Sequence, residues 1–254
     1  MQYFVAKDSI VRKIWGTADT VLLIFAGASA EFALNKAVDW LYFTGKLPSD
    51  PLGRLFSTVT YARQIVFSEY DDAMRAIEKI TLIHQGVEQN RGAKIPDWAS
   101  RDVLFMLIDY SIRSFEVLER KLTLQEKEEV FQVFNRMGLG MKIAGLPESY
   151  NEWMSMRENH LKADLIKSNF TKDLYRQYKK HLGLFRYILL KQAQNLIVPR
   201  HVNKLLQLGN LPLLKPMLEV YKFTRLLKLE GLLKDAILPA KHKQQIAELD
   251  VNFK

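Results

Sequence analysis

The chain has 254 residues, 48% of them apolar and 26% charged, enough to bury a sizeable core and too apolar to stay disordered. It has no cysteine, which excludes a disulfide framework, a thiolate zinc site, an iron–sulfur cluster and Cys-ligated haem, and leaves five histidines as candidate nitrogen ligands. The net charge of +9 is uneven: residues 161–254 carry 18 Lys and Arg against 7 Asp and Glu, whereas residues 1–160 carry 19 against 21.

Taken in chain order, the pattern is helical throughout. Met1 to Lys13 mixes Asp8 with Lys7, Arg12 and Lys13 and has no long apolar core, unlike a signal peptide. Segments 8–16 and 18–42 come first; in the second, Glu31 interrupts the apolar run Thr20 to Ala30 well short of the ~20 residues a membrane span needs. A soluble cytoplasmic protein is expected. Asp50-Pro51 opens segment 51–67, followed by 70–90 and 97–119. Thr123-x-x-Glu126 forms a capping box for 123–138, and Ser149-x-x-Glu152 forms another ahead of Trp153 in 148–163. The remaining segments are 169–181, 183–197, 199–208, 211–229 and 230–249, with Gly and Pro gathered in the joints, as from Gly138 to Pro147 and from Gly209 to Pro212. With no alternating strand pattern, long linker or internal repeat, the expectation is an all-α, multi-helix bundle forming a single domain over residues 1–254.

The basic residues of the C-terminal part, such as Lys215, Lys222, Arg225, Lys228 and Lys234, stand singly among leucines. Nucleic acid favours a concentrated basic face, so it is not an expected partner. Solvated outer faces of core helices account best for the pattern, with peripheral membrane contact through basic C-terminal helices as the alternative.

One polar set stands out against this apolar background: Asp50-Pro51-x-x-Arg54-x-x-x-Thr58, a lone His84 and Ser111, on three successive segments. Ala73, Ile77, Ile80, His84 and Val87 follow a helical period, which puts His84 in an apolar stripe. Such a histidine is either a core residue satisfied by a carbonyl or hydroxyl, or an axial ligand in an apolar pocket. On segment 51–67, Arg54, Thr58 and Tyr61 share a face beside the stripe Leu52, Leu55, Phe56, Val59 and Val66. Arg54 could fork onto a carboxylate ligand or pair with Asp50 or Glu69, and Thr58 could bond bound water or dioxygen or its own helix. No histidine has a Glu three residues before it, and Gly-rich phosphate loops and Gly-x-Ser-x-Gly elbows are missing. His160, His181, His201 and His242 stand beside Lys, Arg or Asn and read as surface residues, while Phe105, Met106, Met154 and Met156 read as core filler.

The strings Val11-Arg12-x-Ile14-Trp15, Val21-Leu22-Leu23-x-Phe25-Ala26-Gly27, Asp50-Pro51-x-x-Arg54-Leu55-x-x-Thr58 and His84-x-x-Val87, with Val198-Pro199-Arg200 later, resemble the mpaB-type and latex-clearing-protein oxygenases. The resemblance covers roughly residues 8–235 and implies a globin-related helical core with additional helices. It implies haem b held by His84 as axial ligand, with Arg54 and Thr58 on the distal side, Ser57 beside the iron and Ser111 near the haem. It also implies dioxygen-dependent oxidation of an apolar small molecule, isoprenoid or lipid. The chain departs from the family pattern at Thr81, where relatives often have arginine; at Asp109, where many have histidine; at Thr44-Gly45, in place of a His-Ser pair; and at Ser57, where rubber oxygenases have a lysine able to cap iron. The leading expectation is a haem b oxygenase with an open distal face at Ser57. A non-catalytic haem- or lipid-binding protein, or a cofactor-free peripheral membrane protein, are the alternatives.

Overall fold

The computed structural model describes residues 2–45, 49–209, 218 and 250, without the side chains of residues 51, 52 and 54–56. Apart from Leu218, predicted segments 211–229 and 230–249, with their basic residues and His242, lie outside the described residues, and so does the side chain of Arg54.

The described residues form an all-α bundle of ten helices, with isolated bridges but no strand. Helix α1 (Ile10–Trp15) is capped by Ser9, whose Oγ accepts from the Val11 amide at 3.1 Å. Helix α2 (Ala18–Phe32) buries Thr20, Val21, Ile24, Phe25, Ala26, Gly27, Ala30 and Glu31, which cover nearly its whole circumference, as a central helix requires. The predicted segment 18–42 is in fact two helices: α2 ends at Phe32 and α3 (Val38–Phe43) follows a turn. Asn35 makes that break, because its Oδ1 accepts from the Ala37 amide at 2.8 Å and so offers the backbone an alternative to continued helix. Its Nδ2 donates to Asp102 at 3.0 Å, which anchors the turn to the core.

Helices α4 (Pro51–Phe67) and α5 (Tyr70–Arg91) are joined only by Ser68 and Glu69 and pack on each other. The N-terminal segment closes that turn: the Tyr70 amide donates to Gln2 at 2.9 Å, and Tyr3 bridges to Glu69. Helix α6 (Asp97–Leu118) is buried along most of its length, and α7 (Leu124–Gly140) begins at the predicted capping box, with Thr123 Oγ1 accepting from Glu126 and Glu126 Oε2 from Thr123. Helix α8 (Tyr150–Ala163) leads to α9 (Asn169–Ile197), a run bent at Gly183 (φ 73°), where the sequence divides 169–181 from 183–197. Helix α10 (Arg200–Leu206) completes the set.

The core is built on α2 against α6, with α7 on α6 and α9 on α2. At Gly27 the two central helices come so close that an added Cβ would lie 2.3 Å from the Tyr110 ring. The fully buried Trp15 meets Phe25 edge-on (6.3 Å, 89°) and Phe134 at 5.7 Å, tying α1 to α2 and α7. Among the described residues no helix is long and apolar enough to cross a membrane.

Candidate functional site

The sequence-predicted site falls on the α4–α5 hairpin and on α6. Helix α4 starts on an Asp-Pro cap, in which Asp50 Oδ1 accepts from the Gly53 amide at 3.0 Å with Pro51 in the first turn. Ser57 and Thr58 follow one turn later, both half-buried. His84 lies on α5; counted outward from the Ser68-Glu69 turn, it and Gly53 stand equally far along their helices. Of the predicted stripe on α5, only Ala73 and Ile77 are fully buried, while Ile80, His84 and Val87 are half-buried. His84 therefore sits at the margin of the core, with Leu82 (59%) and Ile83 (45%) exposed beside it. Thr81 bonds back to the Ile77 carbonyl at 3.1 Å. Ser111 is fully buried, and its hydroxyl accepts from the Trp15 indole at 3.0 Å, which joins it to α1.

The strongest electrostatics lie elsewhere, on faces of α2, α6 and α8 that meet in the core. Arg157, 5% exposed, sits between Glu31 and Asp109. Its guanidinium donates to both Glu31 oxygens, Nη2 at 2.7 Å, and to Asp109 Oδ2 from Nε at 3.1 Å and Nη2 at 2.9 Å. Arg113 Nε donates to the other Asp109 oxygen at 2.6 Å, and the Tyr110 hydroxyl donates to Glu31 at 2.8 Å. His160 completes the network: Nε2 donates to Glu31 Oε1 at 2.9 Å, and Nδ1 lies 2.7 Å from Asp102 Oδ1 and 3.5 Å from Asp164 Oδ2.

This arrangement sets the protonation states. Burial alone would raise the Glu31 carboxyl, but the charge and hydrogen bonds of Arg157, with His160, hold it at about 2. Burial works against the His160 imidazolium, yet its contacts with Asp102 and Glu31 outweigh that and hold it at about 9. Asp102 is displaced upward by its own burial, against the pull of His160 and Asn35. The network is thus a set of buried charges, each matched by opposite charge and hydrogen bonds, as burial demands.

His160 was expected at the surface and is instead 4% exposed. The signal that locates it is helical period: Trp153, Arg157, His160 and Asp164 recur at core spacing along α8 and its end, as Asp102, Phe105 and Asp109 do along α6. His181 is exposed and His201 half-buried. Asp109, where the resembled family often has histidine, is here occupied by two guanidinium groups.

A family model described as the catalytic domain of the ER-bound oxygenase mpaB/B'/rubber oxygenase matches residues 14–228, a range that takes in most of the chain and the sequence-predicted site. No curated protein matches the chain.

Proposed function

We propose that this chain, which belongs to the mpaB/B'/rubber oxygenase catalytic-domain family, is a haem b-dependent oxygenase that acts with dioxygen on an apolar, isoprenoid- or lipid-like small molecule. The observation that carries the proposal is the family match together with the position of His84, a half-buried imidazole on α5 that shares its face with the half-buried apolar side chains of Ile80 and Val87, one turn to either side. That face suits a planar apolar group: the imidazole would offer a nitrogen ligand, and Ile80 and Val87 would gain apolar cover on binding. The fit extends to α4, where Ser57 and Thr58 are half-buried and present short hydroxyl side chains rather than a strong ligand.

Haem b, when bound, supplies the redox-active iron that dioxygen chemistry needs. The chain's own residues do the rest. His84 would hold the group through a ring nitrogen. Arg54, by its fork of five donors, matches a propionate carboxylate, with a charge-assisted bond on the order of 1.5–3 kcal/mol. Ser57 is too short to supply a ligand to the group, which would leave room there for a small molecule. The Thr58 hydroxyl beside it would be placed to hydrogen-bond a polar guest. Ile80 and Val87, on the same face as His84, would favour an apolar substrate over a polar one.

The deciding experiment is the visible spectrum of the purified full chain and of His84→Ala, with far-ultraviolet circular dichroism as control. The expected result is a Soret band in the parent and its loss in a variant that keeps its helices. A variant with full haem and an unchanged Soret band would remove His84 from the proposal. Dioxygen consumption with isoprenoid or lipid substrates then separates oxygenase from haem-binding protein.

A further inference from the structure

The end of α8, the first turns of α6 and the turn between α2 and α3 meet at a point that the proposed function does not use. Three donor atoms gather there: Asp102 Oδ1, His160 Nδ1 and Asp164 Oδ2, all within 4.8 Å of one another. Asp102 and His160 are deeply buried, with side chains 4% and 3% exposed, and Asp164 is at 25%. His160 Nδ1 is 2.7 Å from Asp102 and 3.5 Å from Asp164, but neither approach has hydrogen-bond geometry, so this buried nitrogen has no hydrogen-bond partner.

The surroundings orient all three donors. His160 Nε2 donates to Glu31 Oε1 at 2.9 Å, the carboxylate–imidazole contact that turns the opposite ring nitrogen toward a metal. Asp102 uses its other oxygen to accept from Asn35 Nδ2 at 3.0 Å, and Asn35 is itself fixed because its Oδ1 accepts from the Ala37 amide. The Asp164 backbone is held on the same turn: its carbonyl accepts from the Lys36 amide at 2.9 Å, and the Ile166 amide donates to Leu34 at 2.7 Å. Three ligands of mixed nitrogen and oxygen type, two of them with an orienting partner and the third on a pinned backbone, are what a bound ion requires.

We propose that Asp102, His160 and Asp164 form a binding site for a divalent transition-metal ion of the Zn²⁺ or Mn²⁺ class. One imidazole and two carboxylates suit such borderline-to-hard ions, and the chain has no thiolate to favour a softer one. The bound ion clamps α6 to the end of α8, beside the α2–α3 turn. Asp164, at the rim, gives the ion its way in and leaves room for water as a further ligand. The proposal is independent of haem, since His84 lies on a different helix.

The competing occupant of Nδ1 is a proton, which would make His160 an imidazolium between Glu31 and Asp102 with no metal role. The test uses the full chain after chelator treatment and desalting, titrated with Zn²⁺ and with Mn²⁺ by calorimetry and thermal denaturation. One equivalent is expected to bind and to raise Tm, with affinity falling in Asp164→Asn and Asp102→Asn by at least the ~10–100-fold that loss of an outer-shell partner alone costs. Pulsed electron paramagnetic resonance of the Mn²⁺-loaded parent is expected to show nitrogen coupling from one imidazole, a readout that needs no variant to fold. Absence of binding by the parent, absence of nitrogen coupling, or unchanged affinity in both folded variants would each overturn the proposal.

Discussion

Removing Arg157 tests the buried network directly. Arg157→Met keeps much of the side-chain volume but takes away four donated hydrogen bonds to Glu31, which is fully buried, and to Asp109, which is 11% exposed. Breaking a buried ion pair from one side costs about 3–5 kcal/mol, because the partner charge stays behind unpaired. Here the cost falls toward the lower end, since Glu31 keeps the Tyr110 hydroxyl and His160 and Asp109 keeps Arg113. At about 3–4 kcal/mol and 2–4 °C per kcal/mol for a chain of this size, a loss of roughly 6–16 °C in Tm is expected. Arg157 supplies the largest downward pull on the Glu31 carboxyl, so that group should titrate well above its present value of about 2 in the variant. Adding Glu31→Gln should recover part of the loss, because it removes the stranded charge. Thermal and denaturant unfolding of the two single variants and the double variant measure this coupling. A single-variant loss under about 1 kcal/mol, or strictly additive losses in the double variant, would refute the picture of a mutually dependent buried network.

The same groups predict a pH profile for the chelator-treated chain. Glu31, held at about 2 against an ordinary value of 4.5, contributes stability that is complete above pH 4.5 and lost as pH falls through 2. His160, held at about 9 against 6.5, contributes stability that is complete below pH 6.5 and lost as pH rises through 9. Tm against pH should therefore slope down on both sides, and a His160→Gln variant that kept the alkaline slope would contradict the assignment. Gly27→Ala should destabilise by about 1–3 kcal/mol despite the better helix propensity of alanine, since its Cβ would lie 2.3 Å from the Tyr110 ring; an equal or higher Tm would show that α2 and α6 can part freely. Ser57→Lys should convert haem-loaded protein toward a six-coordinate state resistant to added imidazole. If the parent's ferric spectrum is already insensitive to imidazole, the open distal side is wrong.

The helical architecture was readable because it is written locally. The Thr123 capping box, the Asp50-Pro51 start and the Gly183 bend each depend on a few neighbouring residues. The Ser149 cap is a partial case: Ser149 accepts from Glu152 as expected, but Glu152 accepts from the Glu148 amide rather than from that of Ser149. The break at 33–37 was not readable because it contains neither Gly nor Pro. It depends on Asn35 reaching Asp102, 67 positions away. His160 was misread for a related reason. Residues adjacent in sequence point about 100° apart on a helix, so Asn159 and Lys162 say nothing about its face, whereas Trp153 and Arg157 do. A charged residue in an apolar stripe finds its meaning only in the partner that another helix brings to it.

Helix α5 shows why the predicted site can lie at the edge of the core and still be a binding site. Its first turns are anchored by the buried Ala73, Ala76 and Ile77. Its last turn is anchored by a left-handed cap at Gly92, by Glu88 accepting from the Ile95 amide at 2.8 Å, and by Arg91, which bonds Asp39 at 2.6 Å and lies 3.9 Å over the Trp40 ring. Between those anchors, residues 78–91 include no fully buried side chain, and Leu82 and Ile83 are left largely in water. Full burial of such a side chain stabilises by about 1.5–3 kcal/mol, so roughly that much is forgone between the two. A helix held at both ends and open in the middle keeps its shape without a ligand and gains apolar contact when one arrives, so binding there costs little ordering. His84 stands in that open middle, one turn beyond Ile80 and one before Glu88.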